Sequence, residues 1–405
     1  MRNTIIALGL SAMTTVGISA RPTGDVNACS ESACPSELSA TSTLQTVRQM
    51  MERNTPALQF NPEFTPEQFK EWQTKVSATM CRLMRHPDAE FAAPKLIKRV
   101  KRDGYTVERW LSYPIEGCIV PFLVLVPDGV DADHRTPGVL CIPGWGQSKE
   151  HLAGERNGNY YLDGDTDSIL RPSNMALHMV RNGLIAVAVD NPSFGELAYG
   201  GNNDYLLTSR YLLEGGWSYL GLTSWQHRVA LNHLRHRNDV KADRMAVSAF
   251  SLGTESLMVL GALERDIHAF VYADIFCRTR ERILKADKPD EKGEHHFPNT
   301  DEHLIPEFLN NFDFPDLVAN LAPRKLICTE GGMDRDFGYV KQAFSLAGNR
   351  DNFTFLTYNA DQHPAEPVMT VPGGLSLSEY YSYLFTAPHH FKPDAVMPWL
   401  KTALE

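Results

Sequence analysis

Residues 247–255, VSAFSLGTE, restrict this chain more than any other stretch. The apolar run 245–250 (MAVSAF) has strand character and 254–264 (TESLMVLGALE) has helix character, leaving only three residues between them. A strand-to-helix corner that tight pushes its central side chain, Ser251, out of the sheet. Small residues two places to either side let strand and helix approach, which is the mechanics of the G-x-S-x-G nucleophile elbow. Here the flanking pair is Ala249 and Gly253. A methyl group fits at the first position provided the backbone there needs no positive φ.

The rest of the chain supplies a sheet for that corner. Strand-like runs lie at 139–143 (VLCIP), 184–190 (LIAVAVD), 245–250, 269–274 (AFVYAD), 325–330 (KLICTE) and 353–358 (FTFLTY). Helical stretches fall between and after them near 174–182, 223–235, 254–264, 339–348 and 394–404. Near-continuous Val/Ile/Leu strands alternating with helices predict an α/β fold, a mainly parallel central sheet with helices on both faces. Before it, 96–129 breaks into three strand-like runs at Gly and Pro turns, an antiparallel meander. Further upstream, Thr65, Pro66 and Gln68 carry the signature of a helix start with a capping box. The stripe Phe69, Trp72, Val76, Met80 and Leu83 gives that helix one apolar face. The expected organisation is a signal peptide over 1–20, a linker and N-terminal helical arm over 21–95, and a catalytic domain over 96–405.

Residues 1–20 hold one Arg, an uncharged apolar run and small residues at the end, the pattern of a secretory leader too short and too diluted with Ser, Thr and Gly for a permanent membrane span. That predicts a secreted or periplasmic protein. In such a compartment Cys29 and Cys34 could join, whereas Cys118, Cys141, Cys277 and Cys328 lie in or beside apolar runs and read as core. No Cys/His pattern has zinc spacing, and no cofactor is implied. A formal charge of −10 without any Lys/Arg run argues against a nucleic-acid partner. Oligomeric state is not legible.

A serine nucleophile needs a base, an acid to orient the base, and backbone donors for the oxyanion. Asp334, after the run KLICTE and the pair Gly331-Gly332, is the expected acid, with Asp336 as its neighbour. His363, His389 and His390 are the candidates for the base. The oxyanion donors are expected from Leu252, directly after the serine, and from Trp145 or Gly146 in the loop Pro143-Gly144-Trp145-Gly146-Gln147. Arg278, nearest of three alternating arginines to the end of AFVYAD, is the expected substrate contact.

The runs CIPGWGQSKE, AVAVDNPSFGE, VSAFSLGTE, FVYADIFCRTRER, LAPRKLICTEGGMDRDF and HHFKPDAVMPWL together resemble bacterial α/β-hydrolases of the acetyl xylan esterase type and esterase-like proteins of glycan-utilisation systems. The resemblance spans about residues 96–405. That family carries Gly where this chain has Ala249, and His-Tyr-Phe-Lys where it has His389-His390-Phe391-Lys392. It therefore implies His389 as the base, the α/β-hydrolase fold, and a serine esterase acting on a carbohydrate ester. A peptidase or acyltransferase on the same fold, and a non-catalytic glycan-binding relative, are the competing readings; the absence of a separate propeller domain to filter peptides argues against the first, and the combination of Ser251, Asp334 and His389 against the last.

Overall fold

The computed structural model describes residues 42–88, 93–155, 174–201, 204–356, 369–385 and 387–405. The leader, the Cys29/Cys34 pair and His363 lie outside them. The chain divides into two units, Met1–Arg53 and Asn54–Glu405. In the first, the helix Thr43–Arg53 has no buried side chain. The second carries the sheet and the residues around Ser251.

The centre of this second unit is a nine-stranded sheet, counted over the described residues: β1 Lys95–Arg102, β2 Tyr105–Ser112, β3 Val120–Pro127, β4 Thr136–Ile142, β5 Ile185–Val189, β6 Val240–Phe250, β7 Ala269–Ala273, β8 Lys325–Cys328 and β9 Phe353–Phe355. The spatial order is β1-β2-β3-β5-β4-β6-β7-β8-β9. The meander β1 to β3 is antiparallel and joins β5 antiparallel through Phe122↔Val189, while every pairing from β5 to β9 is parallel. All six runs read as core strands from sequence are present as β4 to β9.

Why these runs are almost wholly apolar follows from where they sit. Leu140 and Ile142 of β4 belong to one core and Val139 and Cys141 to another, so successive residues feed opposite faces and no position is left for a polar one. On the first face lie the helices Tyr219–Arg235 and Gly253–Leu263; on the second lie Met175–Arg181 and Pro393–Leu404. At the open edge, β1 reads KLIKRVKR and is mostly exposed. Five cations along an edge strand discourage another strand from pairing with it.

The helix Pro66–Met84 starts as its sequence demands. Thr65 accepts from the Gln68 amide at 3.3 Å, and the Thr65 amide donates to Gln68 Oε1 at 2.8 Å. Its stripe Phe69, Trp72, Val76, Met80 and Leu83 is buried in the first core, among residues of the sheet and of the helix Gly253–Leu263. Among the described residues, no helix is long and apolar enough to cross a membrane.

This packing makes the helix part of the folding unit. Trp72 is buried, rings with Phe60 and Phe69 at 5.3 and 5.4 Å, and donates Nε1–H to the Leu58 carbonyl at 2.8 Å. Trp72→Ala should therefore lower the stability of the whole unit by about 3–5 kcal/mol in urea unfolding followed by tryptophan-independent circular dichroism. A shift confined to a minor early transition would instead mark the helix as an independent appendage.

Candidate active site

β6 ends at Phe250 and the next helix begins at Gly253, so Ser251 takes the corner alone. Its φ is +50°, a left-handed conformation that costs a non-glycine residue about 1–3 kcal/mol and persists only where its surroundings hold it. They do. The Ser251 amide donates to the Ala273 carbonyl at 2.9 Å, and the Ser251 carbonyl accepts from the Thr254 amide and hydroxyl at 2.8 and 2.7 Å. Gly253 is required by close approach, since a Cβ there would stand 2.6 Å from the Pro143 carbonyl oxygen. Ala249 needs no such exemption: it lies in the ladder of β6, buried, between Ile142 and Tyr272, without positive φ.

Three side chains from three segments meet at this corner. His389 Nε2 is 3.0 Å from Ser251 Oγ, and His389 Nδ1 is 2.5 Å from Oε2 of Glu330. Glu330 is fully buried, and its other oxygen has Lys392 Nζ at 3.4 Å. A second carboxylate, Asp274 at the end of β7, stands 3.9 Å from the same Nδ1. His389 is thus in place to take a proton from Ser251. His390 is not, as its Nδ1 is 2.9 Å from the Phe391 carbonyl oxygen.

The expected acid is corrected by this geometry. Among the described residues, the carboxylates within 4 Å of His389 Nδ1 are those of Glu330 and Asp274, and Asp334 is not one of them. β8 stops at Cys328, two residues earlier than the apolar run suggests, so Glu330 already stands beyond the strand end. The turn through Gly331 and Gly332, at φ 108° and 153°, comes after Glu330 and leads Asp334 into the first turn of the helix Asp334–Leu346. Asp336 is bound by Arg278 at 2.6 Å. A longer acid at the strand end reaches the histidine without help from the loop. The signal in the sequence was a carboxylate closing an apolar run, a place where burial demands a partner.

Leu252 is the N-cap of the helix Gly253–Leu263, and Trp145 lies in the loop after β4. Both line one cavity of about 520 Å³ together with Ser251 and His389. Among the described residues neither the Leu252 nor the Trp145 amide meets an acceptor, and the same holds for Gly146. The loop that presents Trp145 is fixed from below. Gln147 Oε1 accepts from the Gly144 amide at 2.9 Å, and Asn191 Nδ2 donates to the Pro143 carbonyl at 3.0 Å. Lys149, with no exposure, holds Asp190, Glu150 and Glu196 at 2.8, 2.9 and 2.8 Å. Sequence reading passed over this lysine because a Lys one turn past a glycine loop looks like surface.

Arg278 does not reach the cavity. It is held by Asp336 and lies over the Tyr339 ring at 5.5 Å, so the expected substrate contact is a structural ion pair. Four residues on, Arg282 lines the cavity instead, with Glu255, Glu302 and His303. A larger cleft of about 1250 Å³, lined by Arg99, Glu108 and Arg237 among others, holds none of the elbow residues, and these three are bonded to one another.

The comparisons with known proteins bear on the family and the fold. A family model described as Abhydrolase family matches residues 29–402. The crystal structure of a "putative acetyl xylan esterase" from Bacteroides fragilis is 41% identical, superposes with a TM-score of 0.84, and is matched over 90% of this chain and 95% of that one. Two glucuronoyl esterases share the fold at low identity. That from Solibacter usitatus is 13% identical at a TM-score of 0.51, over 83% of this chain and 94% of that one. That from Teredinibacter turnerae is 14% identical at 0.51, over 87% and 89%. No curated protein matches.

Electrostatics at the histidine give a pH signature. Burial disfavours the imidazolium, but the bond to Glu330 and the charges of Asp274 and Glu330 outweigh it, with Lys392 opposing, and the net effect raises the His389 pKa above the ordinary 6.5. Asp274 is itself pushed up to about 7, first by burial and also by Glu330. A base must be neutral to accept a proton, so activity is lost as pH falls through the raised pKa. The acid limb of a kcat/KM profile should have its midpoint above 6.5, and Asp274→Asn should move it down. A midpoint unmoved by that substitution would remove Asp274 from the electrostatics of the histidine.

Proposed function

The chain belongs to the Abhydrolase family, and from that premise we propose that it is a serine carboxylic-ester hydrolase acting on carbohydrate esters. The observation that carries the reading is the continuous relay from Ser251 Oγ through both ring nitrogens of His389 to the buried carboxylate of Glu330. In the proposed cycle Ser251 Oγ attacks the ester carbonyl carbon while its proton passes to His389 Nε2. The carbonyl electron pair moves onto oxygen, where the amides of Leu252 and Trp145 receive the developing charge. Collapse of the tetrahedral adduct breaks the bond to the alcohol oxygen, which leaves with the proton from His389. Water, deprotonated by His389, then attacks the acyl-serine, and a second collapse releases the carboxylic acid and restores Ser251. Throughout, Glu330 fixes the ring with Nδ1 protonated and stabilises the imidazolium between steps.

Carbohydrate as the alcohol part is supported by the name of the 41% identical relative. The leader-like pattern of residues 1–20 supports export to the periplasm or beyond. Ser251→Ala should abolish hydrolysis of 4-nitrophenyl acetate without unfolding the protein, and a fluorophosphonate probe should label Ser251 alone. The acid can be identified by comparing two substitutions. Glu330→Gln should lower kcat by on the order of 10³- to 10⁴-fold, while Asp334→Asn should stay near the parent rate. The opposite ranking would return the role to Asp334, and labelling at another serine would end the mechanism.

A further inference from the structure

The cavity beside Ser251 holds a second histidine built like the first. His303 closes the short turn Asp301–His303 in the long connection between β7 and β8, and it lines the cavity together with Ser251 and His389. Its Nδ1 lies 2.7 Å from Oε1 of Glu255, a buried carboxylate in the first turn of the helix Gly253–Leu263. Glu330 holds Nδ1 of His389 in the same way. The two rings differ at the other nitrogen. His389 Nε2 is spent on Ser251, whereas His303 Nε2 has no hydrogen bond among the described residues, Glu302 Oε1 being 3.9 Å away, and 23% of the side chain is exposed. Other buried histidines offer no such nitrogen. His227 meets Ser256 Oγ through Nδ1 and the Asp190 carbonyl through Nε2, and the unpaired Nε2 of His233 is closed off from solvent.

His303 is also presented rigidly. Its amide donates to the Thr300 carbonyl at 3.0 Å, the Leu304 amide donates to the Asp301 carbonyl at 3.1 Å, and Arg210 of the helix Tyr205–Glu214 holds Asp301 at 2.6 Å. A ring pinned at one nitrogen on a braced turn loses little freedom when the other nitrogen is used, which lowers the cost of binding. Burial disfavours the imidazolium, but the charge and bond of Glu255 and the charge of Glu302 outweigh it, with Arg282 opposing, and the net effect raises the His303 pKa. An imidazolium is a donor at Nε2. Two anions, Glu255 and Glu302, stand against the two cations Arg282 and His303, so a neutral oxygen suits this wall. Glu255 follows Ser251 by four residues, on the order of one helical turn, about 5 Å. Ser251 Oγ is already served by His389, so His303 meets a part of the substrate that extends away from the serine. An acetyl group ends too soon for that; the alcohol part does not.

We infer that His303 is a substrate-binding residue that reads the alcohol part of the ester, donating Nε2–H to a hydroxyl oxygen there while Glu255 holds the ring in place. The inference rests on the ester-hydrolase reading above and adds the residue that separates a hydroxylated alcohol from a bare hydrocarbon one. The test measures kcat and KM for the monoacetates of methyl xyloside, methyl mannoside and methyl galactoside beside cyclohexyl acetate, a six-membered ring without hydroxyls. The parent enzyme should prefer at least one sugar acetate. His303→Leu should lower that preference, taken as the ratio of its kcat/KM to that for cyclohexyl acetate, at least tenfold and chiefly through KM. His303→Gln, which keeps an N–H donor near the place of Nε2, should bring the ratio back to within about threefold of the parent. No preference in the parent, an unchanged ratio, an equal loss on both kinds of ester, or a loss that Gln does not relieve would return His303 to a structural role. An effect of His303→Leu that follows acyl length instead, in 4-nitrophenyl butanoate against 4-nitrophenyl acetate, would put the contact on the acid side and overturn the assignment as well. An enzyme that hydrolyses cyclohexyl acetate but gives any of those results refutes the role of His303 alone; one that hydrolyses no ester refutes the reading beneath it.

Discussion

The bond between Glu330 and His389 organises more of this structure than its two residues suggest. A carboxylate with no exposure at the end of a parallel strand is tolerable only if its charge is met, and breaking one side of such a pairing costs several kcal/mol. His389 takes one oxygen and Lys392 the other, both from the short segment that leads into the helix Pro393–Leu404. The last helix packs across the second face of the sheet through Val396, Leu400 and Ala403, so the charge at β8 and the apolar stripe of that helix fix the same segment from two sides. The histidine reaches the serine because both constraints hold it there.

Much of this was legible in the sequence, for physical reasons that can be named. Parallel strands buried on both faces leave an unmistakable apolar run, and a corner of three residues between strand and helix leaves room for one outward side chain, so β4 to β9 and Ser251 were readable directly. His389 was reached through resemblance, because nothing local separates it from His390 or His363. Glu330 was missed because strand length was judged from hydrophobicity. β8 ends two residues before the apolar run does, and a Glu that looks like the last residue of a strand lies beyond it. Arg278 was chosen over Arg282 by distance along the chain, whereas the helix Thr279–Lys285 carries the later arginine round to the cavity and leaves the earlier one at its cap.

The loop after β4 shows a different division of labour. Its amides at Trp145 and Gly146 meet no acceptor among the described residues, so its shape has to come from below. Lys149 with its three carboxylates, together with Gln147 and Asn191, supplies that shape with side chains that, Glu196 apart, are buried. Charged groups used this way add specificity of shape more than net stability. They also explain why a polar run, GQSKE, can come after a core strand and still be interior.

The backbone at Ser251 makes a demand that is separate from its hydroxyl. A φ of +50° suits Gly or Asn as well as Ser or better, and punishes Val, Ile or Thr, whatever reaction does or does not occur there. Drift away from catalysis would therefore take a narrow path: a descendant released from chemistry could trade this serine for glycine and relax the corner, but could not easily place a branched residue there. In an alignment of relatives, glycine at this position would leave the turn intact without its hydroxyl, and a β-branched residue would signal that the turn itself had been rebuilt.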